Sequence, residues 1–222
     1  MRIVIAGGHG QIALFLGEFL AQGGHQPQGL IRKPEQQAEL LERGIEPVLL
    51  DLESVSTERL SSVLSGADAA VFAAGAGPNS GIARKDTVDR AGSVRLAEAA
   101  EAAGVPRFVQ ISSMGVESVR DGAKPEGMDD EFHAYLVAKL AAEEDLRARI
   151  QLAWTILRPG RLVDDEATGQ VLLATTTPRG AVPRADVAAV VAELLISGAG
   201  TEQVLELISG PTAIADAVAS LA

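Results

Sequence analysis

The amino-acid sequence predicts an α/β protein built on a doubly wound, parallel β-sheet. Short apolar runs alternate along the chain with longer stretches in which apolar residues recur every three or four positions, the periodicity of an amphipathic helix. Most of the short runs are apolar throughout, as expected for strands that helices cover on both faces. Successive strand–helix units of this kind form a sheet whose ligands bind at the carboxyl ends of the strands.

The order of these patterns predicts six strand–helix units followed by a shorter C-terminal part. Strands are expected near residues 2–6, 28–31, 46–50, 69–73, 107–111 and 153–157, and helices near 11–22, 35–43, 57–65, 84–103, 132–149 and 185–197. A late strand is expected near 204–208 and a closing helix near 212–221, whereas 75–83, 115–131 and 164–183 are expected to be loops that shape a pocket. We therefore expect one domain, 1–222, in which residues 160–222 contribute a small cap on the substrate side.

Composition excludes several classes of protein. The chain has 222 residues and no cysteine, which excludes a disulfide scaffold and a thiolate metal site. Its net charge is −11, and such a surface repels nucleic acid and anionic membranes. We expect no signal peptide, because the predicted first strand begins too early to leave room for one, and no membrane span, because the longest apolar stretches are too short to cross a bilayer. We therefore expect a cytoplasmic monomer or homodimer that binds a small molecule but no metal, nucleic acid or membrane.

The first fourteen residues, MRIVIAGGHGQIAL, carry the motif around which the chain is organised. An apolar strand stops at a glycine-rich turn, and a helical pattern follows. Glycines let the backbone approach a pyrophosphate without a Cβ in the way, and the free N–H groups of the first helical turn face the anion. This context predicts a dinucleotide site, although a glycine-capped turn of another α/β protein is the alternative. The expected cofactor contacts in this stretch are Gly7, Gly8, His9, Gly10, Gln11 and Ile12.

The end of the second strand indicates which dinucleotide is bound. An NAD site usually has an acidic residue about twenty residues after the glycines, where it holds the ribose hydroxyls. Here the strand ends instead in Arg32 and Lys33. A guanidinium and an ammonium bind a 2′-phosphate, which a carboxylate would repel. We therefore expect NADP(H) to be preferred, with NAD(H) possible and a solvated Arg-Lys pair as the alternative.

A tyrosine and a lysine predict the catalytic site. Tyr135 is the only tyrosine, and Lys139 follows it four residues later, so both side chains project from one face of a predicted helix. A phenol with a pKa near ~10 is a poor acid–base catalyst at neutral pH, but a neighbouring ammonium favours its charged form. Such a tyrosine can protonate a carbonyl oxygen while hydride arrives on carbon. Ser112 and Ser113 follow the fifth strand, where a serine hydroxyl can hydrogen-bond the same oxygen. An amphipathic-helix tyrosine, a solvated lysine and serines that cap a turn are the alternatives.

Together these motifs resemble the extended and atypical short-chain dehydrogenase/reductases, an NAD(P)H-binding family that includes NAD-dependent epimerase/dehydratase-like proteins. The resemblance rests on Gly7, Gly10 and Ala13 at three-residue spacing, on the run Ser-Ser-x-x-Val and on YLVAK, and it covers most of the chain. It implies a Rossmann-like fold, with Ser113 as the catalytic serine. It also implies cofactor contacts from Asp51, Leu52, Ile111, Lys139, Pro159 and Gly160.

Three small residues after the fourth strand extend the expected cofactor site. Ala73, Ala74 and Gly75 would let a ribose lie close to the backbone, although a helix–strand contact would explain them equally well. The resemblance implies that Asp51 contacts the adenine, whereas an acid at a helix N-terminus is the alternative for that residue.

Two departures from the family pattern bear on the chemistry. Asp89 stands where many members carry an asparagine, which puts the usual proton-relay water in doubt. The part after about residue 160 is short, so a large sugar-nucleotide substrate is disfavoured.

The sequence therefore predicts an NADP(H)-dependent oxidoreductase that acts on a small carbonyl or alcohol. Tyr135 is expected to be the acid–base, Lys139 to favour its charged form, and Ser113 to position the substrate oxygen. An epimerase or dehydratase of the same family is an alternative, since it uses the same tyrosine and a transient hydride. A non-catalytic NADP(H) sensor is the other alternative, but it has no evident need for the Tyr-Lys pair.

Overall fold

A large, mostly parallel sheet runs through the centre of the computed structural model, which describes residues 1–77 and 79–221. In chain order the strands are β1 (Arg2–Ala6), β2 (Gln26–Ile31), β3 (Glu46–Leu49), β4 (Ala69–Phe72), β5 (Arg107–Ile111), β6 (Ala153–Pro159), β7 (Arg161–Val163), β8 (Gln170–Ala174), β9 (Ala181–Pro183), β10 (Gln203–Ser209) and β11 (Thr212–Ala213). Across the described residues, nine strands form the main sheet in the order β11-β8-β10-β6-β5-β4-β1-β2-β3, and β7 pairs with β9 in a separate ribbon.

Helices cover both faces of this sheet. They are α1 (Gln11–Gln22), α2 (Gln37–Glu42), α3 (Thr57–Leu64), α4 (Ile82–Arg84), α5 (Ala91–Ala103), α6 (Asp130–Arg147), α7 (Arg184–Ser197) and α8 (Ile214–Ala219). A π-helical turn, Lys85–Arg90, joins α4 to α5, and 3₁₀ segments span Pro34–Gln36 and Val116–Gly122. None of the helices described is long and apolar enough to cross a membrane.

Strand β1 shows why its apolar run is continuous. Ile3 and Ile5 pack on one face of the sheet in a cluster with residues of α1 and α7, whereas Val4 and Ala6 pack on the other face with residues of α3 and α5. Because successive side chains of a strand point to opposite faces, a strand buried on both sides needs an apolar residue at every position. The predicted α/β class with a doubly wound parallel sheet is confirmed.

The C-terminal part differs from the expectation in its strands. The stretch 164–183, expected to be a loop, contains β8 and β9, and β11 precedes the final helix, which begins at Ile214 and not near 212. β8 runs antiparallel to both β10 and β11. These strands have only two to five residues, so their conformation follows from pairing, β8 with β10, β9 with β7 and β11 with β8, rather than from a periodic pattern of their own. Residues 160–222 thus supply three strands of the main sheet as well as the β7–β9 ribbon.

A buried ion pair fixes α6 against the sheet. The carboxylate of Glu143 is bound by Arg158 of β6, with Nη2 2.5 Å from Oε2 and Nε 3.0 Å from Oε1. Glu143 is fully buried and Arg158 nearly so. The hydroxyl of Ser112, just after β5, donates to the same carboxylate. Since a buried charge without a partner is strongly destabilising, this contact holds α6, β6 and the end of β5 together.

Candidate functional site

The glycine turn after β1 lies against the backbones of two neighbouring strands. Gly7 has φ +79°, and a Cβ on it would come 2.6 Å from the Cα of Ala74. A Cβ on Gly8 would come equally close, 2.6 Å, to the Cα of Gly29 in β2. The N–H of Gly10 donates to the carbonyl of Gly7 at 2.8 Å and closes the turn. These contacts require glycine, because a side chain at either position would push the turn off the sheet.

The helix that follows presents uncapped amides. Gly10 is the N-cap of α1 and provides no side-chain cap, and the first turn carries no acidic residue. Leu14 is the first residue whose N–H bonds back into the turn, to the carbonyl of Gly10 at 2.9 Å. Within the described part of the chain, the N–H groups of Gln11, Ile12 and Ala13 have no backbone acceptor. A helix N-terminus of this kind suits a phosphate, so the residues present fit a dinucleotide pyrophosphate.

A cavity of about 290 Å³ opens beside this turn, at the carboxyl ends of β1 to β4. Most of the cofactor contacts predicted at the ends of these four strands line this cavity, but Gly8, Gln11 and Lys33 do not. His9 lines the cavity, and its ring lies 2.8 Å from the carboxylate of Glu39. The lining is Gly7, His9, Gly10, Leu30, Ile31, Arg32, Gln36, Leu50, Asp51, Leu52, Glu53, Ala73, Ala74, Gly75, Arg84 and Val88.

The charged end of this cavity contains residues that the sequence reasoning missed. Glu53 accepts a hydrogen bond from Arg84 at 2.7 Å and lies 3.8 Å from Arg32. The Arg84 guanidinium and the hydroxyl of Thr87 hold the pKa of the Glu53 carboxyl below its usual value, so this group is ionised at neutral pH. Two guanidiniums therefore share one carboxylate here. Glu53 and Arg84 lie outside the second strand, and no local pattern connects them to Arg32.

A second cavity, of about 550 Å³, continues the first. Ala73, Ala74 and Gly75 line both, so the two form one crevice along the carboxyl edge of the sheet. The second cavity is bounded by Ile12 of α1 on one side and by Tyr135 of α6 on the other. The structure thus brings the glycine turn and the single tyrosine, which are far apart in the sequence, to a common crevice. Ile111 and Lys139 line this part as well.

Lys139 is buried at the floor of the crevice. Its side chain is only 5% exposed, and its ammonium lies 3.1 Å from the carbonyl of Ile111 and 3.5 Å from that of Ala74. The same ammonium lies 5.8 Å from the centre of the Tyr135 ring. The one-turn spacing of these residues on α6 therefore places a cation next to the phenol, as the sequence predicts.

Asp89, the residue that departs from the family pattern, supplies the counter-charge. It is fully buried and lines the second cavity, and its Oδ1 lies 3.6 Å from the Lys139 ammonium. Its Oδ2 accepts the N–H of Ala76 at 3.1 Å, whereas Oδ1 has no hydrogen-bond partner among the described residues. One carboxylate oxygen of Asp89 thus lies buried beside the Lys139 ammonium without a hydrogen bond among the described residues.

A second buried lysine was missed by the sequence reasoning. Lys85, on the π-helical turn, donates to the carbonyl of Gly77 at 2.5 Å and to the hydroxyl of Ser80 at 3.1 Å. It also forms an ion pair with Glu131 of α6 at 3.1 Å. Lys85 therefore links the loop after β4 to α6, the helix that contains Tyr135. It lies within a stretch that reads as an ordinary helix, so nothing local marks it as a site residue.

A third cavity, of about 750 Å³, adjoins the second, with which it shares Ser112, Phe132, Tyr135 and Leu162. Ser113 and Tyr135 both line it, together with Pro159 and Gly160, which therefore line this cavity and not the first two. The two serines are distinguished by their contacts. Ser112 is buried and donates to Glu143, whereas the Ser113 hydroxyl has only a 3.2 Å contact with the carbonyl of Met114. Ser113 is thus the serine whose hydroxyl is available to a ligand.

The described residues contain no group of three or more His, Asp or Glu side chains arranged to hold a metal ion. The polar side chains that line the three cavities include hydroxyls, a phenol, ammonium and guanidinium groups and carboxylates.

Comparisons with known proteins agree with this geometry. Residues 7–197 match the model of the NAD(P)H-binding family. The uncharacterized sugar epimerase YhfK of Bacillus subtilis is 34% identical over 222 residues, which is 100% of both chains. Among solved structures, a candidate NAD-dependent epimerase/dehydratase from Bacillus halodurans is 34% identical with a TM-score of 0.89 over 100% of both chains. The oxidoreductase ylbE from Lactococcus lactis is 28% identical with a TM-score of 0.82, over 100% of this chain and 96% of that one.

The close approach of Gly7 to Ala74 predicts the effect of a single methyl group. Gly7 and Gly24 have nearly the same left-handed φ, +79° and +77°, but a Cβ on Gly24 would have nothing within 4 Å. Gly24→Ala is the matched control, and its conformational strain should lower the free energy of unfolding by about 1–2 kcal/mol. Gly7→Ala should lower the free energy of unfolding by at least ~2 kcal/mol more, because the backbones of residues 7 and 74 must separate. Urea unfolding measures both free energies, and equal losses would show that the turn does not need this close contact.

Proposed function

The chain belongs to the NAD(P)H-binding family, and from that premise we propose that it is an NADP(H)-dependent oxidoreductase acting on a small carbonyl or alcohol. One observation carries the proposal: Tyr135 lines both the second cavity, which shares Ala73 to Gly75 with the cavity at the glycine turn, and the third cavity, which contains Ser113. A cofactor on one side of the phenol and a substrate on the other would therefore share one acid–base group.

The crevice offers a distinct set of contacts for each part of the cofactor. The amides of Gln11 and Ile12 would hold the pyrophosphate, the backbone of Ala73 to Gly75 would lie beside a ribose, and Arg32 would bind the 2′-phosphate. Arg84 would assist Arg32, because it lines the same cavity. When bound, the cofactor supplies or accepts a hydride. The two guanidiniums thus favour NADP(H) over NAD(H).

The protein's own groups would handle the proton. The Tyr135 hydroxyl donates a proton to the substrate carbonyl oxygen, and the Ser113 hydroxyl donates a hydrogen bond to the same oxygen. The Lys139 ammonium, near the tyrosine ring, stabilises the negative charge left on the phenol. Ser112, Glu143 and Arg158 keep the loop that carries Ser113 in place. In the direction of oxidation the same groups act in reverse.

An epimerase of the same family is the second candidate. It is favoured by the full-length match to a Bacillus subtilis protein named as a sugar epimerase. Such an enzyme would use Tyr135 in the same way but return the hydride to its substrate, so it would consume no cofactor overall. Net oxidation of NADPH by a carbonyl compound therefore separates the two functions.

The choice between the cofactors can be tested at Arg32. Wild-type protein should bind NADPH more tightly than NADH, and Arg32→Ala should weaken NADPH binding about tenfold, the effect of losing one charge-assisted hydrogen bond, with little change for NADH. Glu53→Gln should strengthen NADPH binding, because it removes the carboxylate that both guanidiniums share. Fluorescence titration with both cofactors gives these affinities. Tighter NADH binding by the wild type, or equal losses in Arg32→Ala, would reject the preference.

The catalytic role of Tyr135 can be tested by removing one oxygen atom. NADPH oxidation is followed against a panel of aldehydes, ketones and quinones, with Tyr135→Phe beside the wild type. We expect the wild type to reduce at least one class and the variant to lose about 10²–10⁴-fold in kcat, the usual worth of a general acid–base. Its affinity for NADPH should be unchanged, since the hydroxyl is not assigned to cofactor binding.

The remaining outcomes of that assay separate the candidates. Turnover that survives in Tyr135→Phe would remove the tyrosine from the mechanism. Tight NADPH binding with no net oxidation by any compound would favour the epimerase or a non-catalytic sensor over the oxidoreductase.

A further inference from the structure

The third cavity differs in charge from the rest of the protein. The chain carries a net charge of −11, yet the only charged side chains among the described residues that line this cavity are Arg161 and Arg179. No Asp or Glu of the described chain faces it. The local charge is therefore positive in a strongly acidic protein, and a Debye length of ~8 Å lets such a pair act locally.

These two guanidiniums also lack partners. In the part of the chain that the structure describes, neither side chain forms a hydrogen bond or an ion pair with protein. Two largely buried arginines, in contrast, are fully paired: Arg158 binds Glu143 and Glu117, and Arg149 binds Asp145 and Glu101. Arg161 and Arg179 thus keep their donors free at the wall of a cavity, where a planar donor fork matches a carboxylate or phosphate.

The backbone brings the pair together. Arg161 begins β7, and Arg179 precedes β9 by two residues, while the N–H of Arg161 donates to the carbonyl of Gly180 at 2.9 Å. A Cβ on Gly160 would collide with the Gly180 carbonyl, so glycine at position 160 allows the close contact. The ribbon therefore places both arginines at the wall of one cavity, where an anion would offset their like charges.

We propose that this cavity binds a substrate with an anionic group, a carboxylate or a phosphate, held by Arg161 and Arg179. Tyr135 and Ser113 line the same cavity, so the carbonyl of such a substrate reaches the candidate acid–base group. Apolar side chains, Met114, Met128, Phe132, Leu136 and Leu162, surround the space between and suit an apolar body. This inference rests on the proposed function, because it names the substrate class for that reaction.

The test compares neutral and anionic probes of one shape. Calorimetry at low salt measures the binding of para-carboxybenzaldehyde, para-formylphenyl phosphate and para-methylbenzaldehyde to the protein in the presence of NADP+. The double variant Arg161→Gln with Arg179→Gln removes the proposed site. The matched control, Arg59→Gln with Arg147→Gln, removes the same charge from two exposed arginines that line none of the three cavities.

We expect the wild type and the control to bind at least one anionic probe about tenfold or more tightly than the neutral one. The Arg161/Arg179 variant should bind all three probes alike. The tighter of the two anionic probes identifies the group as carboxylate or phosphate. Equal affinity for neutral and anionic probes in the wild type, no measurable binding of either anion at millimolar concentration, or an equal loss in the control would overturn the inference.

Measuring whether NADPH reduces the same probes distinguishes failure of the anion site from failure of the oxidoreductase assignment. If anion binding depends on Arg161 and Arg179 but no probe is reduced, the anion site stands and the oxidoreductase assignment fails. If a probe is reduced in a Tyr135-dependent way and its charge is immaterial, the oxidoreductase stands and the anion site fails.

Discussion

The buried ammonium of Lys139 is the interaction on which the candidate site depends. It contacts the carbonyls at the ends of β4 and β5, the carboxylate of Asp89 and the ring of Tyr135. Burial of an unpaired ammonium would cost several kcal/mol, so Asp89 and the two carbonyls are needed to hold the charge in place. One cation thereby fixes α6 to the carboxyl edge of the sheet and determines where the phenol lies.

Cationic side chains lie along the whole length of the crevice. The protein is acidic overall, but Arg32 and Arg84 lie at one end of the crevice, Lys85 and Lys139 in the middle, and Arg161 and Arg179 at the far end. The cations of the first two groups are held by carboxylates, whereas those of the last group are free in the described chain. Among the described residues, only the third cavity therefore has an excess of positive side chains on its wall, which is the basis for the anionic substrate proposed above.

The sequence predicts those features that arise from local pattern. The glycine turn, the continuous apolar run of β1 and the four-residue spacing of Tyr135 and Lys139 each act within a single strand–turn or helix, and the structure has them as expected. Features that depend on distant partners were missed. Glu53 is positioned by a hydrogen bond from Arg84, and β8 is a strand because it pairs with β10. The residues adjacent to each in the sequence therefore do not predict these features.

A crystal structure of the protein with NADP+ tests most directly whether the glycine turn and Tyr135 serve one bound cofactor. We expect the pyrophosphate on the amides of Gln11 and Ile12 and the nicotinamide in the cavity beside Tyr135. A nicotinamide ring outside that cavity, or a pyrophosphate away from the first turn of α1, would contradict this expectation.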